Sequence, residues 1–245
     1  MPGSWWSSLF ADMSPTSFFN LSFLPKYGSM FIQGVEFTLL LAVVSVLLAV
    51  IPALVLALMR LSKNRVIKGI AGAYIAVFRS TPLLVQLSIV FFGIFGSFNP
   101  RITLFGFLTL DTFIPCAVAL ALNSSAYVAE IFRAGIQAVD GGQTEAARSL
   151  GLSSFQTLLY IIMPQAIRNI LPAIANEFVV IIKESAITYT IGMQDIMSAV
   201  NAVKGATFII VEPLLVATAI YFCLCFPTSK LIAYIERRMS RGSKR

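Results

Sequence analysis

The chain has 245 residues, 58% of them hydrophobic and only 12% charged, with a formal net charge of +7, no histidine and a mean hydropathy of +0.85. Soluble domains run nearer ~45–50% apolar and ~25% charged, so composition excludes a soluble enzyme or binding module and indicates a polytopic membrane protein. Without histidine the usual general base and zinc ligand are missing, and Cys116, Cys223 and Cys225 all sit in apolar stretches, which assigns them to packing and leaves no metal site, cofactor site or disulfide framework to expect.

Residues 1–29 hold Trp5, Trp6, Phe10, Phe18, Phe19, Phe23 and Tyr27 with one basic residue, Lys26. No positive region precedes an apolar core, so this is not a cleavable signal peptide; aromatics mixed with serine and proline suit an extracytoplasmic segment at the membrane interface, with a disordered tail as the other reading. A first span is expected over about Met30–Met59, kinked at Pro52. Arg60, Lys63, Arg65 and Lys68 follow at once and mark the cytoplasmic side. The apolar run from Gly69 to Phe98 is too long for one upright span and contains Arg79-Ser80-Thr81-Pro82. It divides into an interfacial elbow at 66–79 and a span at about Thr81–Phe98, with Arg79 snorkelling at the boundary. A short outer loop, Gly96–Asp111, then carries Asn99, Pro100 and Arg101.

The third span, about Thr112–Phe132, contains a polar stripe of Asn123, Ser124, Ser125, Tyr127 and Glu130, in which 123, 127 and 130 share a face. Such a stripe either lines a solute path or supplies hydrogen bonds between helices. A fourth span is expected at about Gln165–Glu184 with Glu177 near its middle, then an outer short helix or re-entrant piece at Ser185–Ala206, then a last span at about Thr207–Tyr234. The basic end of the chain contacts anionic membrane lipid.

Loop charge orients these spans. Arg60, Lys63, Arg65, Lys68, Arg133, Arg148, Arg168, Arg237, Arg238, Arg241, Lys244 and Arg245 fall on one side, against Lys26, Arg101, Lys183 and Lys204 on the other. The expected fold is therefore an all-α polytopic membrane protein with five transmembrane helices, N-terminus outside and C-terminus cytoplasmic. The positive charge is a topology signal and gives no ground for a nucleic-acid partner. The expected organisation is 1–29 interfacial, 30–240 transmembrane domain and 241–245 cytoplasmic tail.

One segment between spans three and four has the composition of water-facing backbone: DGGQTEAARSLGLSSFQTLLYIIMPQAIRNILP, from Asp140 to Pro172. Asp140 can cap a helix with Gln143 in the capping-box position, and Gly151 is a natural stop. Ser153 and Gln156 repeat the cap pattern, and Pro164 is expected to break the second helix. The loop 140–164 thus reads as helix, glycine turn, helix on the membrane surface.

Glu145-Ala146-Ala147, then three residues, Gly151, nine residues, Ile161, one residue and Met163-Pro164 resemble the EAA loop of permease subunits in bacterial ATP-binding-cassette importers, with methionine where leucine is more usual. GVEFTL at 34–39, RSTPLLVQ at 79–86, AYVAEIFRAGIQAVDGGQTEAARSLG at 126–151 and MPQAIRNILPAIANEFVVIIKES at 163–185 are similar to permeases for polar amino acids, the histidine, glutamine and arginine group. Departures are the missing glycines at Ala49–Ala53, Ser80 in place of a glycine, and Ser185-Ala186-Ile187 in place of threonine-serine-leucine. The resemblance implies a bacterial inner-membrane permease working by alternating access with a second permease subunit, an extracytoplasmic amino-acid-binding protein and two ATPase subunits. It implies coupling to the ATPase through Gln143, Glu145, Ala146, Ala147, Gly151 and Pro164. Asn123, Ser125, Tyr127 and Glu177 are the candidates for the solute path. The chain has no G-x-x-x-x-G-K-[ST] phosphate loop, so ATP hydrolysis falls to a partner and the chain is a transport subunit, not an enzyme. The alternatives are a permease for another small solute, such as an opine or cystine, or a channel outside the family.

Overall fold

The computed structural model describes residues 20–97, 103–104 and 108–241. The expectations for Trp5, Trp6, Phe10, Phe18 and Phe19, for Phe98, Asn99, Pro100 and Arg101, and for the tail beyond residue 241 lie outside the described residues. Helix α1 spans Leu24–Leu61, so it starts inside the segment expected to be interfacial, and Phe23 just before it is buried. Pro25 sits in its first turn, where no intrahelical donor is lost, and Pro52 lies inside an uninterrupted helix.

After Leu61 the Asn64 side chain caps α2 (Arg65–Ser80) by accepting from the N–H groups of Val66 at 2.9 Å and Ile67 at 3.4 Å. The residue before a proline avoids helical geometry, and Thr81 is extended (φ −117°, ψ 148°) ahead of Pro82. Helix α3 (Leu83–Ser88) runs on into a π-helical turn, Ile89–Ile94, at 107° to α2. The elbow is therefore present. The helix after it has 12 residues and reaches about 18 Å, short of the ~30 Å hydrocarbon core and of the span expected to Phe98.

The loop that follows contains a two-residue antiparallel pairing, Thr103–Leu104 (β1) with Leu108–Thr109 (β2), within an otherwise helical fold. Helix α4 (Leu110–Gln137) follows, then α5 (Gly141–Ser149) and α6 (Ser154–Thr157). A π-helical turn at Leu158–Ile162 leads without interruption into α7 (Met163–Glu184). Ser185–Ile191 is 3-10 helical, α8 covers Ile196–Thr207, and α9 covers Val211–Arg241. The expected outer segment Ser185–Ala206 is thus a 3-10 turn plus a short helix.

Helix α4 is the centre: 72% of its most apolar stretch is buried, against 28% for α1 and 6% for α9. Apolar lipid gives helices no hydrophobic reason to associate, so close backbone approach through small side chains has to hold them. Ala42, Ser45, Ala49, Ala53 and Ala57 form that seam on α1, all fully buried; Ala42 clusters with Cys116 and Ala117 of α4, and Ala53 with Ala126 and Ala129. The alanines standing where glycines were expected serve the same close packing. Helix α8 packs Ile196, Ala199, Val200 and Val203 against Phe23 and Phe31 and against Ala217 of α9. A Cβ on Gly34 of α1 would stand 2.8 Å from the backbone of Asp195 and Ile196, so this crossing requires glycine.

Among the described residues, α1, α4 and α9 are each long and apolar enough to cross a membrane, and the bent pair α2–α3 makes a fourth if it counts as one span. The helix expected as the fourth span forms as α7, with 22 residues, but carries Arg168, Glu177, Lys183 and Glu184 and is not apolar enough to join them.

Candidate functional site

The loop between α4 and α7 is built from local backbone chemistry. Asp140 Oδ1 accepts from Gly142 N–H at 2.9 Å and starts α5, while Gln143 bonds through its backbone N–H to Asp140 O at 3.0 Å. The cap therefore runs to Gly142, not to Gln143 as the spacing suggested. At the other end Gly151 N–H donates to Arg148 O at 3.0 Å and Leu152 N–H to Ala147 O at 3.1 Å, with Gly151 at φ +86°. That pair of bonds is the Schellman motif, and its left-handed residue favours glycine for lack of a Cβ. Ser153 and Gln156 complete a reciprocal capping box, with bonds of 3.2 and 2.8 Å.

Pro164 does not break the second helix. It lies in the first turn of α7, directly after the π-helical turn, where a widened ladder accommodates a ring and a missing donor. Gln165 Nε2 donates to Ile161 O at 2.9 Å beside it. Of the residues assigned to coupling, Ala147 is buried, whereas Gln143, Glu145, Ala146, Gly151 and Pro164 are exposed. Leu150, Phe155 and Tyr160 stand 84%, 71% and 64% exposed on the same loop, an apolar surface of the kind that receives a protein partner.

The polar stripe of α4 divides. Asn123 Nδ2 donates to Gln86 Oε1 of α3 at 2.8 Å, and Gln86 Nε2 reaches Phe78 O at 2.9 Å and Thr81 Oγ1 at 2.8 Å. This amide pair therefore ties α4 to the carbonyls freed at the elbow. Ser125 is fully buried, donates to Leu122 O at 2.7 Å and lies 2.9 Å from Tyr74 Oη of α2. Asn123 and Ser125 are thus engaged in contacts between helices.

Tyr127 and Glu177 meet elsewhere. With Arg79, Glu130, Ile131 and Ala134 they line an open cavity of about 340 Å³ between α2, α4 and α7. The guanidinium of Arg79 lies 5.3 Å from the centre of the Tyr127 ring. Glu177 Oε1 accepts from Ser124 Oγ at 3.0 Å and is 7% exposed, so the serine fixes the carboxylate from the α4 side. Sequence reasoning missed Gln86, Ser124 as the partner of Glu177, and Arg79 as a wall of this cavity. An isolated glutamine in the apolar run after Pro82 was the available signal for the first.

Residues 45–241 match the family described as binding-protein-dependent transport system inner membrane component. The chain belongs to that family. It is 42% identical over 208 residues to the arginine transport system permease protein ArtQ of Bacillus subtilis, covering 85% of this chain and 91% of the relative. A putative glutamine transport system permease protein GlnP of Rickettsia conorii is 38% identical over 219 residues (89% and 96% covered), and the nopaline transport system permease protein NocM of Agrobacterium fabrum is 40% identical over 208 (84% and 86%). Among solved structures, an amino acid ABC transporter crystallised with histidines superposes with a TM-score of 0.80 at 44% identity, covering 90% of this chain and 99% of the other. The MetNI methionine transporter, at 16% identity and a TM-score of 0.69, shares the fold. The permease resemblance carried by the Glu145–Pro164 spacing is borne out at the level of the family, whose members here are named as transport components.

Proposed function

We propose that this permease is the membrane subunit of an ATP-binding-cassette importer for a polar amino acid, moving its solute by alternating access in a bacterial inner membrane. It has five spans, α1, the α2–α3 pair, α4, α7 and α9, with the N-terminus outside and the C-terminus cytoplasmic. Two permease subunits enclose the path, a soluble amino-acid-binding protein delivers the solute outside, and separate ATPase subunits supply the energy inside.

The observation that carries this reading is the exposed α5–α6 pair around Gly151, joined without a helical break to the helix that bears Glu177. Gln143, Glu145, Ala146, Ala147, Gly151 and Pro164 form the ATPase-coupling surface, with Ala147 buried and its helix packed against the segment that follows Gly151. Tyr127 and Glu177 face the solute, while Asn123 and Ser125 hold the wall behind them. The names of the relatives support amino acids as the substrate class, and the relative named for nopaline keeps an opine as a second reading.

The test is copurification of the permease with its ATPase subunit, followed by uptake in reconstituted vesicles offered arginine, glutamine, histidine and nopaline. Replacing Glu145 with alanine and Gly151 with valine together is expected to abolish both ATPase capture and uptake. Retained capture with full uptake in the double variant overturns the coupling assignment.

A further inference from the structure

The elbow helix α2 presents three faces. Ala71, Tyr74, Ile75 and Phe78 turn inwards, the last three onto a cluster shared with α1 and α4. Val66, Ile70 and Val77 are 69%, 60% and 57% exposed. Arg65, Lys68, Gly72 and Arg79 recur at spacings of three, four and seven and so share the remaining face. A basic face opposite an exposed apolar face is the pattern of a helix lying at a headgroup boundary.

An open cavity of about 500 Å³ lies against this basic face, lined by Arg60, Gly72, Ile75, Arg79, Ser80 and Glu130. Arg60 Nε is buried without a hydrogen-bond partner and stands 3.8 Å from Glu130 Oε1. Glu130 is already committed to Arg133, at 2.6 Å from Nη2 and 2.8 Å from Nε. Arg60 Nη1 rests 3.0 Å from where a Cβ on Gly72 would be, so the missing side chain makes room for the guanidinium against the elbow. Arg79 has the Tyr127 ring beside it and no carboxylate within ion-pair distance among the described residues. Arg60 and Arg133 thus share one carboxylate, Arg79 stands without one among the described residues, and the buried Nε of Arg60 is left without an acceptor.

We propose that this cavity binds the phosphodiester of an anionic phospholipid, with Arg60 and Arg79 on its oxygens. Excess positive charge selects an anion, and a helix whose opposite face is exposed and apolar lies at the headgroup boundary, where phospholipid headgroups are the anions at hand. Placing this lipid in the inner leaflet rests on the proposed topology; binding itself does not, and is measured on the chain alone.

Native mass spectrometry of the purified full-length chain in detergent tests it, with phosphatidylglycerol, phosphatidylcholine and inorganic phosphate as probes. The expected result is retention of phosphatidylglycerol over phosphatidylcholine, weakened about fivefold for each guanidinium removed in Arg60→Gln and Arg79→Gln, and unaffected by millimolar phosphate. Equal retention of the two lipids by the wild-type chain overturns the proposal without any variant. Undiminished phosphatidylglycerol binding in the double variant places the lipid elsewhere and also overturns it. Displacement by inorganic phosphate makes the cavity a small-anion site and overturns the lipid assignment.

Discussion

In the loop from Asp140 to Pro164, side-chain hydrogen bonds close within four residues: Asp140 to Gly142, Arg148 to Leu152, Ser153 with Gln156, Thr157 to Ser153. Along the wall that α4 shares with α2, α3 and α7 they reach across 37 to 53 positions, joining Asn123 to Gln86, Tyr74 to Ser125 and Ser124 to Glu177. The loop is therefore a self-contained unit that can meet a partner without help from the bundle. The wall exists only when four helices are already in place. In one region polar groups shape a segment; in the other they fix how segments sit against each other.

The largest effect should come from removing a long-range bond. Asn123→Leu strips the donor from a buried Gln86 carbonyl, and leaving such a group unpaired costs about 1–3 kcal/mol. The melting temperature of the purified chain should fall measurably; an unchanged value would mean that the amide pair does not hold α3 to α4. Next comes Glu177→Gln, which keeps an acceptor for Ser124 and removes a negative charge from the cavity. Uptake of cationic amino acids relative to neutral ones should drop roughly tenfold, as expected for losing one charge-assisted bond of ~1.5–3 kcal/mol. Identical kinetics for acidic, neutral and basic substrates would remove Glu177 from the path. The smallest effect belongs to the loop: Asp140→Ala should leave global melting untouched and speed amide hydrogen exchange at Gly142 alone. If global melting shifts instead, the loop is not the independent unit described.

The same contrast explains what could be read from the chain. The stop at Gly151, the capping box at Ser153 and Gln156, and the division of the apolar run after the elbow helix, at Thr81-Pro82, follow from neighbours in sequence, and each is found where expected. Asn123 and Ser125 carried two readings, and the partners they bond lie 37 and 51 positions away, out of reach of any local pattern. Pro164 misled because a proline ring is a local signal for a break, while the π-helical turn that accommodates it has no comparable mark in the sequence. The short α3 was equally hidden: an apolar run reports that residues avoid water, not where a helix ends. Arg79 had a place at the boundary but no partner until α4 brought Tyr127 beside it.

The helix that begins at Ser154 continues through the π-helical turn to Glu184. At about 1.5 Å per residue, Thr157 and Glu177 are roughly 30 Å apart along one rod. A rod converts rotation into displacement in proportion to its length. Tilting this one by about 10° around its Glu177 level swings the Thr157 end through about 5 Å, one helical turn, on the same rise per residue. The converse also holds: a few ångströms of travel imposed at the exposed end arrive at the buried carboxylate as a small change of angle, which is the gearing that lets a large motion outside the bundle become a fine adjustment within it.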